Sequence, residues 1–152
     1  MPKTATRKKP AATENHGAAA LRALNLPPLG IYWAEEEGVF VGIRKHEGGE
    51  IAVVVPTDPA SDIDSAPWKD AITKASAFKT KDHQDFVAAD RFDLALAYMN
   101  APELFKKNWY WSATPYAGLA SYAWVQSFDY GLQYGNHKGG GYRARAVRRV
   151  KI

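Results

Sequence analysis

The chain has 152 residues, of which 46% are hydrophobic and 24% charged, and a formal net charge of +4; these values are typical of one globular domain with its own core. No apolar run approaches the ~20 residues that a membrane-spanning helix needs, and the N-terminus lacks the apolar segment of a signal peptide. We therefore expect no membrane span, no signal peptide and no export by the usual route. The absence of cysteine excludes disulfides, thiolate metal sites and a cysteine nucleophile.

The excess positive charge is concentrated at the N-terminus. Residues 1–13 contain four basic side chains and no acid, so that of the chain's 20 basic residues 16 remain to balance its 16 acidic ones. The basic side chains of this segment are Lys3, Arg7, Lys8 and Lys9. We expect residues 1–20 to form a basic arm of the disordered type. Two roles stay open for it: a solubilising tail, or an anchor that contacts a partner protein or nucleic acid.

Residues 21–29 (LRALNLPPL) are predicted to be an apolar linker, ended by two prolines that cannot continue a helix. The domain is therefore expected over 30–152. It begins with three β-rich runs separated by turn-like segments rich in glycine and charge, which predicts a meander of strands. These runs are 30–34, 38–44 and 50–56.

Two helices are predicted next. The first covers 65–79, with Asp64 or Ser65 as its N-cap. The second follows Asp90, and Asp93 stands three residues later, where it completes a capping-box-like start.

From Trp109 onward the apolar period changes to two, which predicts strands again. The candidate strands are 109–114, 122–129, 132–135 and 142–150. An order of strands, two helices and strands predicts an α+β domain.

The C-terminal part of the chain resembles a known bacterial family. The residues that carry the resemblance are Tyr110 to Thr114, Ala123 and Trp124, Phe128, Gly131, and Arg145 to Arg148. Together they are similar to the signature of the Lcl-type C-terminal domain family, a former domain of unknown function, in its phage and prophage members. The resemblance covers about 30–152. It departs from the family at Ala144, where the family has Val, and at Ala88-Ala89 before Asp90, where the family has Leu-Pro.

This resemblance implies a C-type-lectin-like fold, with two helices packed on short mixed sheets. The family includes adhesin tips and phage-encoded proteins, so it implies recognition of a protein assembly or a cell-surface receptor. It also implies a location in the virion, as a receptor-binding or decoration protein, or otherwise in the bacterial cytoplasm. Fold alone carries no activity, however.

The sequence does not indicate catalysis, a metal or a cofactor. The four histidines stand apart from one another, without the spacing of a metal site. Ser112 lacks the glycine-flanked turn of a nucleophile, and the polar residues around Asp82, His83 and Asp85 favour a solvated loop. The glycines 139–141 precede a strand rather than a helix, which favours a hairpin connection over a phosphate loop.

The aromatic residues near the C-terminus are the strongest binding candidates. We expect Trp109, Trp111, Trp124 and Phe128 to build the core. Tyrosine beside adaptable polar residues is typical of binding surfaces, although solvated hairpins would have the same composition. The predicted binding residues are Tyr116, Tyr122, Gln126, Tyr130, Gln133, Tyr134, Asn136, His137 and Lys138.

The last strand carries a row of arginines, Arg143, Arg145 and Arg149, which is expected to pair with carboxylates of the domain rather than bind an anionic ligand.

The main hypothesis is a non-enzymatic recognition or structural protein of a phage or prophage particle, anchored by its basic arm. One alternative is the variable, ligand-binding protein of a diversity-generating retroelement. Another is a nucleic-acid accessory protein that uses the arm and these arginines. An oligomer is compatible with each.

Overall fold

A computed structural model of the chain describes residues 16–152, except for the side chain of His16. Its α-helices are α1 (His16–Ala23), α2 (Trp68–Ser76) and α3 (Arg91–Asn100). Its strands are β1 (Tyr32–Trp33), β2 (Gly38–His46), β3 (Gly49–Pro56), β4 (Asp62–Ala66), β5 (Val87–Ala88), β6 (Trp109–Pro115), β7 (Tyr122–Ser127), β8 (Gln133–His137) and β9 (Tyr142–Lys151). The predicted α+β class is confirmed. No helix among residues 16–152 is long and apolar enough to cross a membrane.

The strands form one mixed sheet in the order β1-β2-β3-β9-β6-β7-β8, and β4 and β5 also pair with β9. Most neighbours are antiparallel, whereas β6 and β9 are parallel. The last strand of the sequence therefore lies at the centre of the sheet. Strands β1 and β8 lie at its two ends.

The two helices of the domain cover opposite faces of this sheet. Leu94 and Ala97 of α3 pack in one buried cluster with Tyr110 and Val147. Ala71 and Ala75 of α2 pack in another, against the neighbouring positions Trp111 and Ala146. Because successive side chains of a strand point to opposite faces, adjacent residues of β6 and β9 supply two separate cores.

Most predicted elements are present, but the first predicted helix is too long. Residues Asp62–Ala66 form β4, which pairs with β9, and α2 begins only after Pro67. Neither Asp64 nor Ser65 is the cap, since Pro67 occupies the N-cap position without a side-chain hydrogen bond. Strand pairing at the sheet centre outweighs the local helix signal here. The capping box of α3 is confirmed, because Asp90 and Asp93 each accept a backbone N–H of the other.

The N-terminal boundary also differs from the expectation. Helix α1 (His16–Ala23) runs across the predicted junction between arm and linker. Leu26 is buried with Phe40 and Ala52, and Leu21 packs against them. The residues of the linker therefore contact the domain. The predicted arm contacts Lys3, Arg7, Lys8 and Lys9 lie outside the described residues.

A compact charge network fixes the start of α3. Asp93 is fully buried and accepts hydrogen bonds from Arg44 Nε at 2.9 Å and Arg149 Nη2 at 2.7 Å. Asp90 binds the same two arginines, with Oδ2 2.6 Å from Arg44 Nη2 and 3.3 Å from Arg149 Nη2. The carboxylates that cap α3 thus also neutralise arginines of β2 and β9.

Replacing Asp93 tests this network. Asp93→Ala removes the buried carboxylate that both guanidinium groups bind, so that they share only Asp90, and it removes half of the capping box. We expect a loss of about 3–5 kcal/mol in the free energy of unfolding, measured by urea denaturation. Asp82→Ala, in an exposed loop, is the control and should change stability by less than about 0.5 kcal/mol. Equal stability of the two variants would contradict a structural role for the network.

Candidate recognition surface

The predicted binding residues lie on a hairpin of β7 and β8, whose two faces differ. The register pairs Tyr122 with His137, Trp124 with Gly135 and Gln126 with Gln133, so these side chains share one face. The other face carries Tyr134 and Asn136, which stand opposite Val125 and Ala123. The predicted surface is thus divided by the sheet, and its residues cannot all contact one small ligand.

On the first face, Arg91 at the start of α3 stacks on Trp124, with its guanidinium carbon 3.6 Å from the ring centre. Gln133 holds Arg91 through two hydrogen bonds: its Oε1 accepts from Arg91 Nε at 3.1 Å, and its Nε2 donates to Arg91 O at 2.7 Å. Arg91 N–H also donates to Thr114 Oγ1 at 3.0 Å. The guanidinium group is therefore fixed in position by its neighbours.

Aromatic rings extend this face in both directions. Tyr116 packs against Trp124 with ring centres 4.7 Å apart, and Tyr122 lies 5.7 Å from His137 in an edge-to-face arrangement. On the far side of Arg91, the exposed Phe92 ring lies 5.7 Å from the Arg91 guanidinium carbon. We call this row the Trp124 face; it comprises Arg91, Phe92, Tyr116, Tyr122, Trp124, Gln133 and His137.

The opposite face of the hairpin packs against the buried cluster that α2 covers. Tyr134 packs against Trp109 with ring centres 5.6 Å apart, and Asn136 Oδ1 accepts from Tyr142 OH at 3.3 Å. Trp111 beneath them is fully buried, as predicted. Tyr134 remains half exposed, and Tyr130 projects from the turn between the strands.

Two of the sequence predictions on this hairpin need correction. Gln126, predicted to bind a partner, is only 2% exposed, because its amide accepts from Gln133 and donates to the Ser127 carbonyl inside the domain. Trp124, predicted as core, is partly exposed and stacks on Arg91 instead. Lys138, which stays a predicted binding residue, has partners within the chain: its ammonium lies 4.4 Å from the Trp68 ring centre and donates to Ala120 O at 2.7 Å.

Arg91 and Phe92 were missed by the sequence prediction. They stand in a helix far from the hairpin in sequence, and no local pattern links them to Trp124. Polar residues are ordinary at a helix N-terminus, so the presence of Arg91 there carries no signal by itself.

The arginines of β9 pair within the domain, as expected. Arg143 donates to Asp62 Oδ1 at 3.0 Å and to Asp64 Oδ1 at 3.2 Å. Arg145 is 3% exposed and donates to Ser61 Oγ and to two backbone carbonyls, those of Pro56 and Leu104. These guanidinium groups are therefore engaged before any anionic ligand arrives. Arg148 likewise contacts Glu36 and Asp85.

The polar groups that the sequence analysis considered for chemistry, Ser112, His83 and Asp85, each have a partner within residues 16–152. Ser112 Oγ accepts from Thr114 N–H at 3.1 Å, and its hydroxyl has no imidazole partner in this part of the chain. His83 Nε2 lies 2.8 Å from the Glu35 carbonyl oxygen, and Asp85 pairs with Arg148. Each of these groups has a partner that explains its position.

A buried tyrosine connects the sheet to the arginine row. Tyr110 OH donates to Asp62 Oδ2 at 2.9 Å and accepts from Lys106 N–H at 3.0 Å, and the side chain is fully buried. Burial, together with the charge of Asp62, raises the pKa of Tyr110 to about 12.

In comparisons with known proteins, no protein-family model matches the chain, and no curated protein is significantly similar to it. The resemblance to the Lcl-type family therefore stays a hypothesis.

The shifted pKa of Tyr110 predicts a loss of stability at high pH. The unfolded chain releases the phenolic proton near pH 10, while the folded protein keeps it to about pH 12, so the stabilising contribution is complete below pH 10 and falls as pH rises through this window. We expect the stability of the protein relative to Tyr110→Phe to fall by about 2–3 kcal/mol between about pH 10 and 12 in urea titrations. A difference that stays constant over this range would contradict the assignment.

Proposed function

We propose that this chain is a non-enzymatic recognition protein of a phage or prophage particle, which binds a partner protein or cell-surface receptor through the Trp124 face. The observation that carries the proposal is the Arg91 guanidinium, stacked on Trp124 and held by Gln133 at the partly exposed surface. The motif resemblance and the order of strands, two helices and strands support a C-type-lectin-like fold and membership of the Lcl-type family.

The Trp124 face has the physical properties of a binding surface. Aromatic rings and arginine give large contact area and strong anchor points, and they are enriched among the residues that dominate binding energy. Here the packing of Tyr116 on Trp124 and the bonds of Gln133 fix these groups before binding. Binding to such a surface costs less side-chain entropy than binding to free side chains.

Nucleic acid is the weaker candidate partner. Duplex binding depends on arginine and lysine side chains that can neutralise phosphates. Arg143 and Arg149 already face carboxylates, and Arg145 donates to a hydroxyl and to carbonyl oxygens. A nucleic acid would therefore have to displace internal partners to reach the arginines of β9.

The binding role of the Trp124 face can be tested on cells. The double variant Tyr116→Ala, Tyr122→Ala removes two rings of this face; neither ring belongs to the two core clusters, and Gln133 still holds Arg91. We expect its binding to bacteria of the strain that carries the gene, measured by flow cytometry of labelled protein, to be at least about tenfold weaker. Tyr32→Ala, which removes an exposed tyrosine of β1 at the other end of the sheet, is the control. If both variants bind like the original protein, the Trp124 face is not the binding surface.

The location in a particle and the anchoring role of the arm are tested separately. Particles are induced from the same strain, purified on a density gradient and analysed by mass spectrometry for peptides of this chain. We expect the full chain to be enriched with the particles, and a version without residues 1–15 to be depleted because its basic anchor is gone. Absence of the full chain from particles would refute the virion location, whereas equal incorporation of both versions would refute anchoring by the arm.

A further inference from the structure

Strand β8 is an open edge of the sheet. It pairs with β7 on one side, and no strand of residues 16–152 pairs with its other side. Ser127 N–H donates to Leu132 O, and Lys138 N–H donates to Ser121 O, so the even-numbered residues of this strand bond to β7. In an antiparallel pair the intervening residues direct their backbone groups away from the partner. Gln133, Gly135 and His137 therefore present theirs to the open side.

This edge lacks the features that normally block pairing. Exposed edge strands are protected by proline, lysine, bulges or short length. Residues Gln133–His137 contain no proline, lysine or carboxylate, and their register with β7 runs without a bulge. The opposite edge differs, because β1 has only two residues. The His137 carbonyl is the exception on β8, since it accepts from Gly140 N–H at 2.9 Å.

The edge is also complementary to itself. If two copies meet antiparallel about a twofold axis at Gly135, then Gln133 of one copy stands opposite His137 of the other, and Tyr134 stands opposite Asn136. No like charges meet in this register. About four backbone hydrogen bonds form without disturbing the His137 carbonyl: two between the glycines and two from His137 N–H to Gln133 O.

Aromatic contact reinforces the same register. Tyr134 is 50% exposed and packs on Trp109 at the face beside the edge. In the twofold arrangement the two Tyr134 residues are diagonal neighbours, about 7–8 Å apart, which is within reach of aromatic side chains. Each Tyr134 ring would then contact Tyr134 of the other copy in addition to Trp109 of its own chain.

From these observations we infer that a second copy of this chain pairs with β8, so that the two sheets join into one continuous sheet across the twofold axis. The partner is a second copy because the register satisfies both edges at once. This inference does not rest on the proposed function, and it is tested without any ligand.

The test compares two replacements of His137 in the full chain. His137→Ala and His137→Pro both remove the ring, but only proline removes the outward N–H and places its own ring in the path of the second strand. Sedimentation equilibrium is measured from about 10 μM to about 1 mM. We expect the original protein and His137→Ala to dimerise, and the dissociation constant of His137→Pro to be at least about tenfold higher. A protein that stays monomeric throughout, or a proline variant that dimerises as well as the alanine variant, overturns the inference.

A second pair of variants covers the case in which His137→Pro does not fold. Tyr134→Lys places two ammonium groups near the twofold axis, whereas Tyr134→Gln removes the same ring without adding charge. We expect Tyr134→Lys to dimerise at least about tenfold more weakly than Tyr134→Gln, with the difference shrinking at high salt. Equal dimerisation of the two variants would place the interface elsewhere.

Since the chain has no native cysteine, Tyr134→Cys introduces a single thiol for crosslinking. A short bis-maleimide should join Tyr134→Cys into a covalent dimer more efficiently than Tyr130→Cys, which is more exposed but lies in the turn. More efficient crosslinking through position 130 would contradict the proposed register.

Discussion

The fold depends on how the charges of β9 are neutralised. This strand lies at the centre of the sheet and pairs with β3, β4, β5 and β6, yet it carries arginines at 143, 145, 148 and 149. A charge in such a position is costly unless it is paired and hydrogen-bonded. Each arginine contacts a carboxylate, a hydroxyl or a carbonyl oxygen from another part of the chain. Those parts must therefore come together when the sheet forms.

The position of the candidate surface follows from this requirement. Arg149 binds Asp90 and Asp93, and these two carboxylates also cap α3, so charge compensation in β9 fixes the first turn of that helix. The next residue, Arg91, then lies over Trp124, and Gln133 holds it there. The contact of α3 with the distant hairpin thus depends on the salt bridges that fix the first turn of the helix.

Local pattern predicted seven of the nine strands within residues 16–152, missing β4 and β5, and it predicted the capping box of α3, because alternation and cap spacing are properties of neighbouring residues. It failed where long-range pairing decides the outcome. Alternation in β7 shows that Trp124 and Gln126 share a face. It does not show that Arg91 stacks on Trp124, or that Gln126 is buried and hydrogen-bonded to Gln133. The short strand β4 is missed, and its last two residues are assigned to the predicted helix over 65–79, because its pairing with β9 cannot be seen from its own residues. Hence the sequence indicates the hairpin as a binding candidate but misassigns some of its residues.

Recognition and self-association can coexist on this hairpin because they use perpendicular directions. Side chains of a strand project above and below the sheet, whereas the backbone groups of an edge strand lie in its plane. The Trp124 face uses Gln133 and His137 through their side chains, while pairing at the edge would use the backbone groups of the same residues. A twofold axis at Gly135 perpendicular to the sheet keeps both Trp124 faces on one side of the joined sheet. Two sites on one side can engage a repetitive surface together, and weak individual contacts then give a much stronger combined attachment.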